Sequence, residues 1–401
     1  MSARCAAELH STLSSLSRAR GGERGSGWGY RGALLALVVL RKAISQARAL
    51  RVLPDALLAA DAPRARPIHM HLEHTTLCDH VCSTCIRAER IDGEVHMPVD
   101  EARGYIDAIA PRFMSLNGIG EPLLHPEWDV IARHAIDVHG ASVGFATTGT
   151  LFAEQAERLC DSGINLVKVS FHGAAPRTFA RLASGRNLEK VEHGIRTLLE
   201  TRRKRGRGPE IRINYVVSEQ SFREIPEVLR VAKRCGVGAI YFKGALVPQG
   251  RNAGLAGEHD HGELSAAVDE GLRLAEEWDV DTNLPHWRRE LDRVGDVPVE
   301  DRAPPSGRCL IPWLSVFIRV DGSILPCCNC TFRPDEGQMG RIGSDGSFTD
   351  LWRGKPLVKL RSEMRSGDYS LKICQDCPDP VTLSQVSEAA LARLWPGFLT
   401  G

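Results

Sequence analysis

The chain has 401 residues, which is enough for two or three domains and a large core. Its 51 lysines and arginines against 50 aspartates and glutamates leave a net charge of +1, so no global field indicates nucleic acid or an acidic membrane as a partner. Twelve cysteines are too few for a disulfide scaffold, and their C-x2-C grouping favours metal sites in a reducing, cytoplasmic setting.

Residues 1–65 are interpreted as an N-terminal extension. Residues 1–30 are rich in Gly, Ser and Arg, a composition typical of disorder. The apolar run 33–40 is too short to span a bilayer, and no small-residue cleavage site follows it. We therefore expect an amphipathic helix from about 30 to 53 that packs on the body of the protein, with docking to a membrane surface as the alternative.

Strand patterns alternate with helix patterns between residues 66 and 280. The predicted strands are Ile68–Thr75, Phe113–Asn117, Ser142–Thr147, Leu166–Ser170, Ile211–Val217 and Ala239–Lys243. Helical periodicity lies near 99–110, 126–139, 153–162, 186–203, 221–234 and 262–277. Six consecutive βα units predict a parallel sheet with right-handed crossovers. A complete eight-unit barrel would need two more units.

Three cysteines follow the first predicted strand at C-x3-C-x2-C spacing: Cys78, Cys82 and Cys85. A loop this short can direct three thiolates at one iron–sulfur cube and leave one iron without a protein ligand, whereas such clusters usually have four cysteines. A vacant coordination position can bind a further ligand, as in catalytic zinc sites. A zinc knuckle or three buried thiols are the alternatives. Because zinc ribbons favour paired C-x2-C units, we favour the iron–sulfur interpretation.

The cysteine loop resembles the signature of the radical S-adenosylmethionine (SAM) enzymes. In that family SAM chelates the open iron, and reduction of the cluster cleaves SAM to a 5′-deoxyadenosyl radical that abstracts hydrogen from a substrate. Many members have an aromatic residue before the third cysteine, where this chain has Thr84. The resemblance implies an open, partial (β/α)6 barrel over residues 66–285, a 4Fe–4S cluster at the carboxyl ends of its strands, and a flavodoxin- or ferredoxin-type reductant.

A glycine-rich segment after the second predicted strand resembles the Gly-Gly-Glu motif of the same family. It contains Gly118, Gly120 and Glu121 and ends at a proline. In the family this motif binds the amino group of SAM, and glycines permit a close approach of backbone to a ligand. An ordinary glycine-rich turn is the alternative interpretation.

The end of the fourth predicted strand resembles the ribose-binding segment of the family. Relatives have Ser-x-Asp-Gly there, so Ser170 takes the ribose role by resemblance, while His172 replaces the usual Asp. Arg181, about three helical turns further on, is a candidate for the SAM carboxylate. It can equally be a solvated arginine on the surface of a helix.

A second set of cysteines lies in the C-terminal third of the chain: Cys309, Cys327, Cys374 and Cys377. A strand at Leu314–Val320, an Asp-Gly turn and a strand at Ser323–Leu325 predict a β-hairpin. The hairpin can bring Cys309 and Cys327 together. With the C-x2-C pair they complete a four-ligand site, either for a 4Fe–4S cluster or for a structural zinc.

This region resembles the twitch domain, the shortened form of the SPASM domain that follows many radical SAM barrels. The shared features are Pro-Cys-Cys at 326–328, Gly-x-Ile at 340–342, Phe-x-x-Leu-Trp at 348–352 and C-x2-C-Pro at 374–378. No cysteine follows Cys377 in the sequence, which implies one auxiliary cluster. We assign residues 300–385 to this small α+β domain and residues 386–401 to a C-terminal tail.

The resemblance also implies the class of substrate. Twitch relatives include aminocyclitol dehydrogenases and aminoglycoside epimerases, and residues 1–66 contain no evident winged-helix peptide-recognition domain. We therefore expect a small sugar, aminocyclitol or nucleoside-like substrate. A peptide-modifying SPASM enzyme is an alternative. So is a non-enzymatic iron–sulfur protein in electron transfer or sensing, although the vacant iron argues against it.

Cys328 and Cys330 flank the auxiliary site and are candidate catalytic thiols. A four-ligand cluster suits an electron relay, which favours oxidation of an alcohol. A thiol that returns a hydrogen atom to the substrate radical would instead make the enzyme an epimerase. We favour oxidation, because the cluster is a complete site and each thiol is a single residue.

Overall fold

The computed structural model describes residues 60–80, 93–183, 186–244, 261–294 and 309–375, together with positions 52, 55, 56, 58, 82, 85, 87 and 377. The predictions for residues 1–50 and for the C-terminal tail lie outside the described residues. Of the described helices, none combines the length and apolar character needed to cross a membrane.

One nine-stranded sheet forms the centre of the protein, in the order β7-β6-β5-β4-β3-β2-β1-β8-β9. Its strands are β1 (His69–Leu72), β2 (Phe113–Ser115), β3 (Ser142–Thr147), β4 (Leu166–Phe171), β5 (Glu210–Val217), β6 (Ala239–Gly244), β7 (Asp281–Thr282), β8 (Ser315–Ile318) and β9 (Ile324–Leu325). All pairs are parallel except β8 with β9. The predicted α/β fold with an open partial barrel is confirmed.

Helices cover the outer face of the sheet. They are α1 (Val99–Ile109), α2 (Trp128–His139), α3 (Phe152–Asp161), α4 (Pro176–Leu182), α5 (Leu188–Arg205), α6 (Ile225–Cys235), α7 (His261–Trp278) and α8 (Leu284–Val294). The C-terminal region adds α9 (Ile311–Leu314), α10 (Pro334–Gly337), α11 (Phe348–Trp352), α12 (Lys355–Ser366) and α13 (Lys372–Gln375). The six predicted barrel helices are present, whereas α4, α8 and the two-residue β7 were not predicted. The short segments α4 and β7 show little periodicity, and α8 lies beyond the last predicted barrel unit.

The strands alternate between an apolar outer face and a polar inner face. On β4, Val167, Val169 and Phe171 belong to the main core, and Phe171 packs edge-on against Phe179 of α4 with ring centroids 5.2 Å apart. Lys168 lies between Val167 and Val169 on the strand, so its side chain is on the opposite face, away from the helices. The hydrophobic effect therefore fixes the sheet against the helices and leaves polar side chains for the barrel interior.

The predicted C-terminal hairpin forms, but its first strand belongs to the barrel sheet. β8 pairs in parallel with β1, and His71 lies opposite Phe317. All four residues of β8 are buried. Pairing with β1 on one side and β9 on the other satisfies the backbone hydrogen-bonding groups of this buried strand. Gly322 completes the turn with a φ of +79°, which a side chain would disfavour. The barrel and the auxiliary region thus share one sheet.

The C-terminal helices hold the segment that leads into β1. The fully buried Arg361 of α12 donates hydrogen bonds to the carbonyls of Asp61, Pro312 and Trp352, and its guanidinium stacks 4.1 Å from the Trp352 ring. The indole of Trp352 donates to the Ala65 carbonyl at 2.9 Å. These bonds satisfy backbone carbonyls that burial would otherwise leave without donors.

Candidate functional site

Loops that follow the first four strands meet at one edge of the sheet. Because β1 to β4 are parallel, their carboxyl ends lie side by side. The cysteine loop follows β1, Gly118–Glu121 follow β2, Thr147 ends β3, and Ser170 is the penultimate residue of β4. In open α/β sheets, ligands bind at this edge. The fold therefore brings together motifs that are far apart in sequence.

The cysteine loop presents two partly buried thiols and one exposed thiol. Burial raises the pKa of Cys78 to about 11 and also raises the pKa of Cys82, while Cys85 is exposed. The Cys85 amide donates to the Cys82 carbonyl at 3.0 Å. A bound metal deprotonates its thiol ligands, so the raised pKa values describe thiols that become thiolates only when a cluster binds.

The glycines after β2 are required by packing against the cysteine loop. A Cβ on Gly120 would lie 2.4 Å from the Thr75 carbonyl oxygen and 2.7 Å from that of Leu77, and neither distance is tolerable. A Cβ on Gly118 would lie 2.4 Å from Cγ of Glu73. The two loops therefore touch through backbone and form a single wall of the candidate SAM site.

Glu121 ties this wall to the end of β3. The buried carboxylate accepts hydrogen bonds from the Thr147 hydroxyl at 2.6 Å, the Thr148 amide at 2.7 Å and the Leu123 amide at 3.3 Å. Burial raises the pKa of Glu121, while these three bonds lower it. A carboxylate has about four acceptor positions, so Glu121 retains capacity for an ammonium donor.

Arg186 is a site residue that the sequence analysis missed. It is 3% exposed, and its Nη1 and Nη2 donate to the carbonyls of Thr148 and Ser170 at 2.8 and 3.4 Å. Its Nε has no hydrogen-bond partner within the described part of the chain. Burial lowers the pKa of Arg186, while the nearby Cys82 and Glu121 raise it.

Arg181, the residue chosen from the sequence, lies exposed in the last turn of α4. Arg186, and not Arg181, therefore lies at the carboxyl edge beside Thr148 and Ser170. The Ser170 carbonyl accepts from Arg186, and His172 lies close enough for the arginine to lower its pKa. Burial and Arg186 together lower the pKa of His172 to about 4, so this ring is neutral at physiological pH. The helical pattern at 186–203 predicts Arg186 at the start of a helix, whereas it precedes the N-cap Asn187 of α5, and nothing in that pattern marks it as a site residue.

Glu73 links the carboxyl edge of the sheet to the C-terminal hairpin. Its buried carboxylate accepts from the Ile119 amide at 3.1 Å and from the Val320 amide at 3.2 Å, and it lies 3.9 Å from Nε of Arg319. Burial raises the pKa of Glu73, and these donors lower it. This second missed residue had no signal beyond the strand pattern in which it lies.

The four thiols predicted for the auxiliary site come together. Burial raises the pKa of Cys374, and the charges of Cys327, Cys309 and Cys377 raise it further. The Asn329 side-chain amide donates to the sulfur of Cys377 at 3.6 Å. Buried neighbouring thiols are unfavourable as free thiolates, and a bound metal removes that repulsion.

Four thiolates can bind either a structural zinc or an iron–sulfur cluster. A tetrahedral zinc with bonds of about 2.3 Å to sulfur would hold its thiolates about 3.8 Å apart. Among the described residues, one set of three or more His, Cys, Asp or Glu ligand atoms lies entirely within 4.8 Å, and it consists of Asp107, His134 and His139. None of the four thiols belongs to that set.

The two candidate catalytic thiols occupy different environments. Cys330 is fully buried, its sulfur lies 3.6 Å from that of Cys327, and it packs where a Cβ on Gly337 would clash. Cys328 is only partly buried, and it raises the pKa of Lys168 in the barrel interior. Of the two, Cys328 is therefore the more accessible thiol and the one whose charge acts on Lys168.

Two family models match separate parts of the chain. Residues 72–232 match the radical SAM superfamily, and residues 309–378 match SPASM, an iron–sulfur cluster-binding domain. The first match contains the three-cysteine loop and the second contains all four auxiliary thiols. Both matches agree with the positions of the two cysteine sets in the fold.

Relatives with known names or structures extend over much of the chain. The tungsten-containing aldehyde ferredoxin oxidoreductase cofactor-modifying protein of Pyrococcus furiosus is 24% identical, with 77% of this chain and 86% of the relative covered. The AdoMet-dependent heme synthase of Methanosarcina barkeri is 33% identical over 45% of this chain and 50% of its own length. Streptococcus suis SuiB bound to S-adenosylmethionine has the same fold, with a TM-score of 0.57 at 16% identity over 80% of this chain and 75% of SuiB.

Proposed function

We propose that this protein oxidises an alcohol in a small polar substrate. The chain carries a radical SAM domain followed by a SPASM domain, and these domains imply 4Fe–4S clusters and SAM as cofactors. The observation that supports this proposal is the pairing of β8 with β1. That pairing sets the hairpin next to Cys327 against the barrel, so the four-thiol site and the barrel interior are neighbours.

The residues at the carboxyl edge have distinct roles in this proposal. Cys78, Cys82 and Cys85 hold the first cluster. With SAM bound, this cluster supplies a 5′-deoxyadenosyl radical that abstracts a hydrogen atom. Glu121 would accept from the ammonium of SAM, the unused Nε of Arg186 would donate to the carboxylate of SAM, and Ser170 would bind the ribose. A carboxylate and a guanidinium of opposite charge suit the zwitterionic end of SAM.

The auxiliary thiols support oxidation. Cys309, Cys327, Cys374 and Cys377 give an auxiliary cluster a complete set of protein ligands, and when bound such a cluster supplies a one-electron acceptor. His71 of β1 stacks on Phe317 of β8, with ring centroids 5.8 Å apart. Phe317 also packs in the small core that contains Cys327 and Cys374. The barrel interior and the auxiliary site are thus joined by packed side chains.

Epimerisation is the second candidate, and the position of Cys328 favours it. A thiol near the interior can give its hydrogen atom to a substrate carbon radical, which forms a C–H bond and leaves a thiyl radical on sulfur. Cys328 meets the positional requirement through its proximity to Lys168, whereas Cys330 is enclosed beside Cys327. The structure thus separates two thiols that are equivalent in the sequence.

SAM cleavage tests the central assignment. With a strong reductant, the reconstituted protein is expected to convert SAM to 5′-deoxyadenosine, measured by chromatography. The Cys82→Ala variant is expected to lose this activity because the cluster loses one of three ligands. Cys160→Ala, which removes a buried thiol of α3 far from the loop, is the matched control. Undiminished cleavage by Cys82→Ala would refute the proposal.

The fate of the substrate radical separates oxidation from epimerisation. Sugars, aminocyclitols and nucleosides that stimulate SAM cleavage are incubated in deuterated water with the wild type, Cys328→Ser and Cys330→Ser. Oxidation predicts a product two hydrogens lighter and activity that survives Cys328→Ser. An isomeric product with one deuterium on carbon, lost in Cys328→Ser and retained in Cys330→Ser, would replace oxidation with epimerisation.

A further inference from the structure

We propose that the barrel interior binds a carboxylate or phosphate group of the substrate through Lys168, Arg212 and Lys243. This inference rests on the proposed function, because it places the substrate inside the barrel of a radical SAM enzyme. It also narrows the substrate class from small polar molecules to small anions.

The three cations lie on adjacent strands. Lys168 of β4 is the direct partner of Arg212 on β5, and Lys243 lies on the neighbouring β6. The guanidinium of Arg212 and the ammonium of Lys243 lie 5.4 and 5.8 Å from the centroid of the Tyr241 ring. Positive charge is therefore concentrated on one wall of the interior, near Tyr241. We call the three residues Lys168, Arg212 and Lys243 the cationic wall.

The cationic wall has one fully buried member, Lys168, while Arg212 and Lys243 are half-buried. Lys168 is 1% exposed, and burial followed by the charges of Lys243 and Arg212 lowers its pKa. Burial also lowers the pKa of Arg212, to about 10, which leaves the guanidinium charged at neutral pH. Lysine and arginine are rarely buried this fully, because removing like charges from water is costly. A bound anion would offset that repulsion.

Two buried polar atoms on inward-facing side chains have no hydrogen-bond partner among the described residues. Arg212 donates from Nε to Asn214 at 3.3 Å, but its buried Nη2 has no partner in the described part of the structure. The same holds for Nδ1 of His71 on β1, a side chain that is 5% exposed. Lys168 and Lys243 both lower the pKa of His71, so the histidine faces the cationic wall. A buried donor without an acceptor is destabilising, and an oxyanion would accept from the guanidinium and, in the Nδ1–H tautomer, from His71.

The chemistry of these donors favours an oxyanion over a neutral hydroxyl group. Arginine binds carboxylate and phosphate through a planar fork of donors, and lysine adds a compact charge. Lys168 precedes Ser170 by two residues, or about 6–7 Å along the strand. The anionic end of the substrate would thus sit deeper in the barrel, with its reacting carbon toward the carboxyl edge.

Binding of simple anions tests this inference independently of catalysis. The reconstituted holoenzyme is saturated with SAM, so that the SAM carboxylate site is filled, and titrated calorimetrically at constant ionic strength. Inorganic phosphate and malonate distinguish a phosphate from a carboxylate site, and inositol is the neutral control. We expect at least one anion to bind, and Lys168→Met and Arg212→Gln each to weaken it at least tenfold.

The control variants separate this role from general effects of charge and folding. Lys204→Met makes the same change at a side chain that is 72% exposed, and binding should be unchanged. Since Lys168→Met removes a buried charge, the melting temperature of this variant without anion should not fall below that of the wild type. The increase in melting temperature that the anion causes in the wild type should be absent in the variant. If Lys168→Met does not fold, the partly exposed Arg212→Gln carries the test.

The outcomes distinguish this inference from the proposed function. Failure of both anions to bind a wild type that still forms 5′-deoxyadenosine would overturn the anion site and leave the radical activity intact. Binding that Lys168→Met and Arg212→Gln leave unchanged would also overturn it. Anion binding that depends on both residues, in a protein that cannot cleave SAM, would support the site and refute the radical activity instead.

Discussion

At the scale of single residues, opposite charges flank the cysteine loop. Glu121 lies on the β2 side and Arg186 on the β4 side, and each is almost fully buried. Both are held by bonds to the end of β3, through Thr147 and Thr148 for the glutamate and through the Thr148 carbonyl for the arginine. Such fixed donors and acceptors do not need to reorganise when a ligand binds.

Arg186→Gln is expected to weaken SAM binding about 10- to 100-fold, because a hydrogen bond to a charged group contributes about 1.5–3 kcal/mol. Arg181→Gln, at an exposed position five residues earlier, should change it less than twofold. The dissociation constant of SAM is measured by equilibrium dialysis on reconstituted protein, with circular dichroism to verify folding. A larger effect at Arg181 would contradict the assignment.

At the scale of elements, β1 connects the parts of the site. Its outward residues Met70 and Leu72 are fully buried in the core, while His71 faces the interior. The strand pairs with β2 on one side and β8 on the other, and it is followed by Glu73 and His74. One short strand thus connects the carboxyl edge of the sheet, the barrel interior that contains the cationic wall, and the auxiliary region.

The buried histidines make stability depend on pH. Burial, ahead of neighbouring charges, lowers the pKa of His71 to about 3 and those of His74 and His172 to about 4, against 6.5 in an unfolded chain. Below pH 6.5 the unfolded state binds more protons, so stability present above pH 6.5 is lost as the pH falls toward 4. Each histidine contributes a slope of up to about 1.4 kcal/mol per pH unit.

Anaerobic urea denaturation between pH 5.5 and 7.5 measures this slope. His74→Gln should reduce it by about one proton, because the variant lacks the titrating ring and can still donate to the Pro122 carbonyl that His74 contacts at 3.1 Å. An equal slope in the wild type and His74→Gln would show that His74 is not neutral in the folded state.

At the scale of the whole molecule, the three-thiol and four-thiol sets predict two iron–sulfur cubes. Anaerobically reconstituted protein is expected to hold about eight irons per chain. The Cys78→Ala, Cys82→Ala, Cys85→Ala triple variant should retain about half, as measured by iron analysis and absorbance. One zinc per chain that is lost with Cys374→Ala would contradict the auxiliary cluster.

The zinc measurement needs a background variant. Asp107, His134 and His139 lie close together on α1 and α2, with both histidine Nε2 atoms 2.7 Å from one aspartate oxygen. Zinc could bind there during purification, since two histidines and a carboxylate are common zinc ligands. His139→Gln removes that possibility without touching either cysteine set.

Local patterns in the sequence were sufficient for much of the fold. The strand Ser142–Thr147 was predicted with the bounds that the structure has, and the Asp-Gly turn correctly predicted the β8–β9 hairpin. Strand alternation, turn residues and cysteine spacing act over a few residues, so the sequence contains them directly. The same holds for the cysteine sets, whose spacing already separates a three-ligand loop from a four-ligand site.

Only the tertiary structure decided which distant residues meet. It placed β8 beside β1, buried Arg186 at the carboxyl edge while Arg181 is exposed, and gave Cys328 and Cys330 different degrees of burial. It also gathered the cationic wall from three strands that are separated by helices in the chain. Strand order and long-range packing determine these contacts, and a lysine in a strand pattern looks the same whether it will face solvent or a buried binding site.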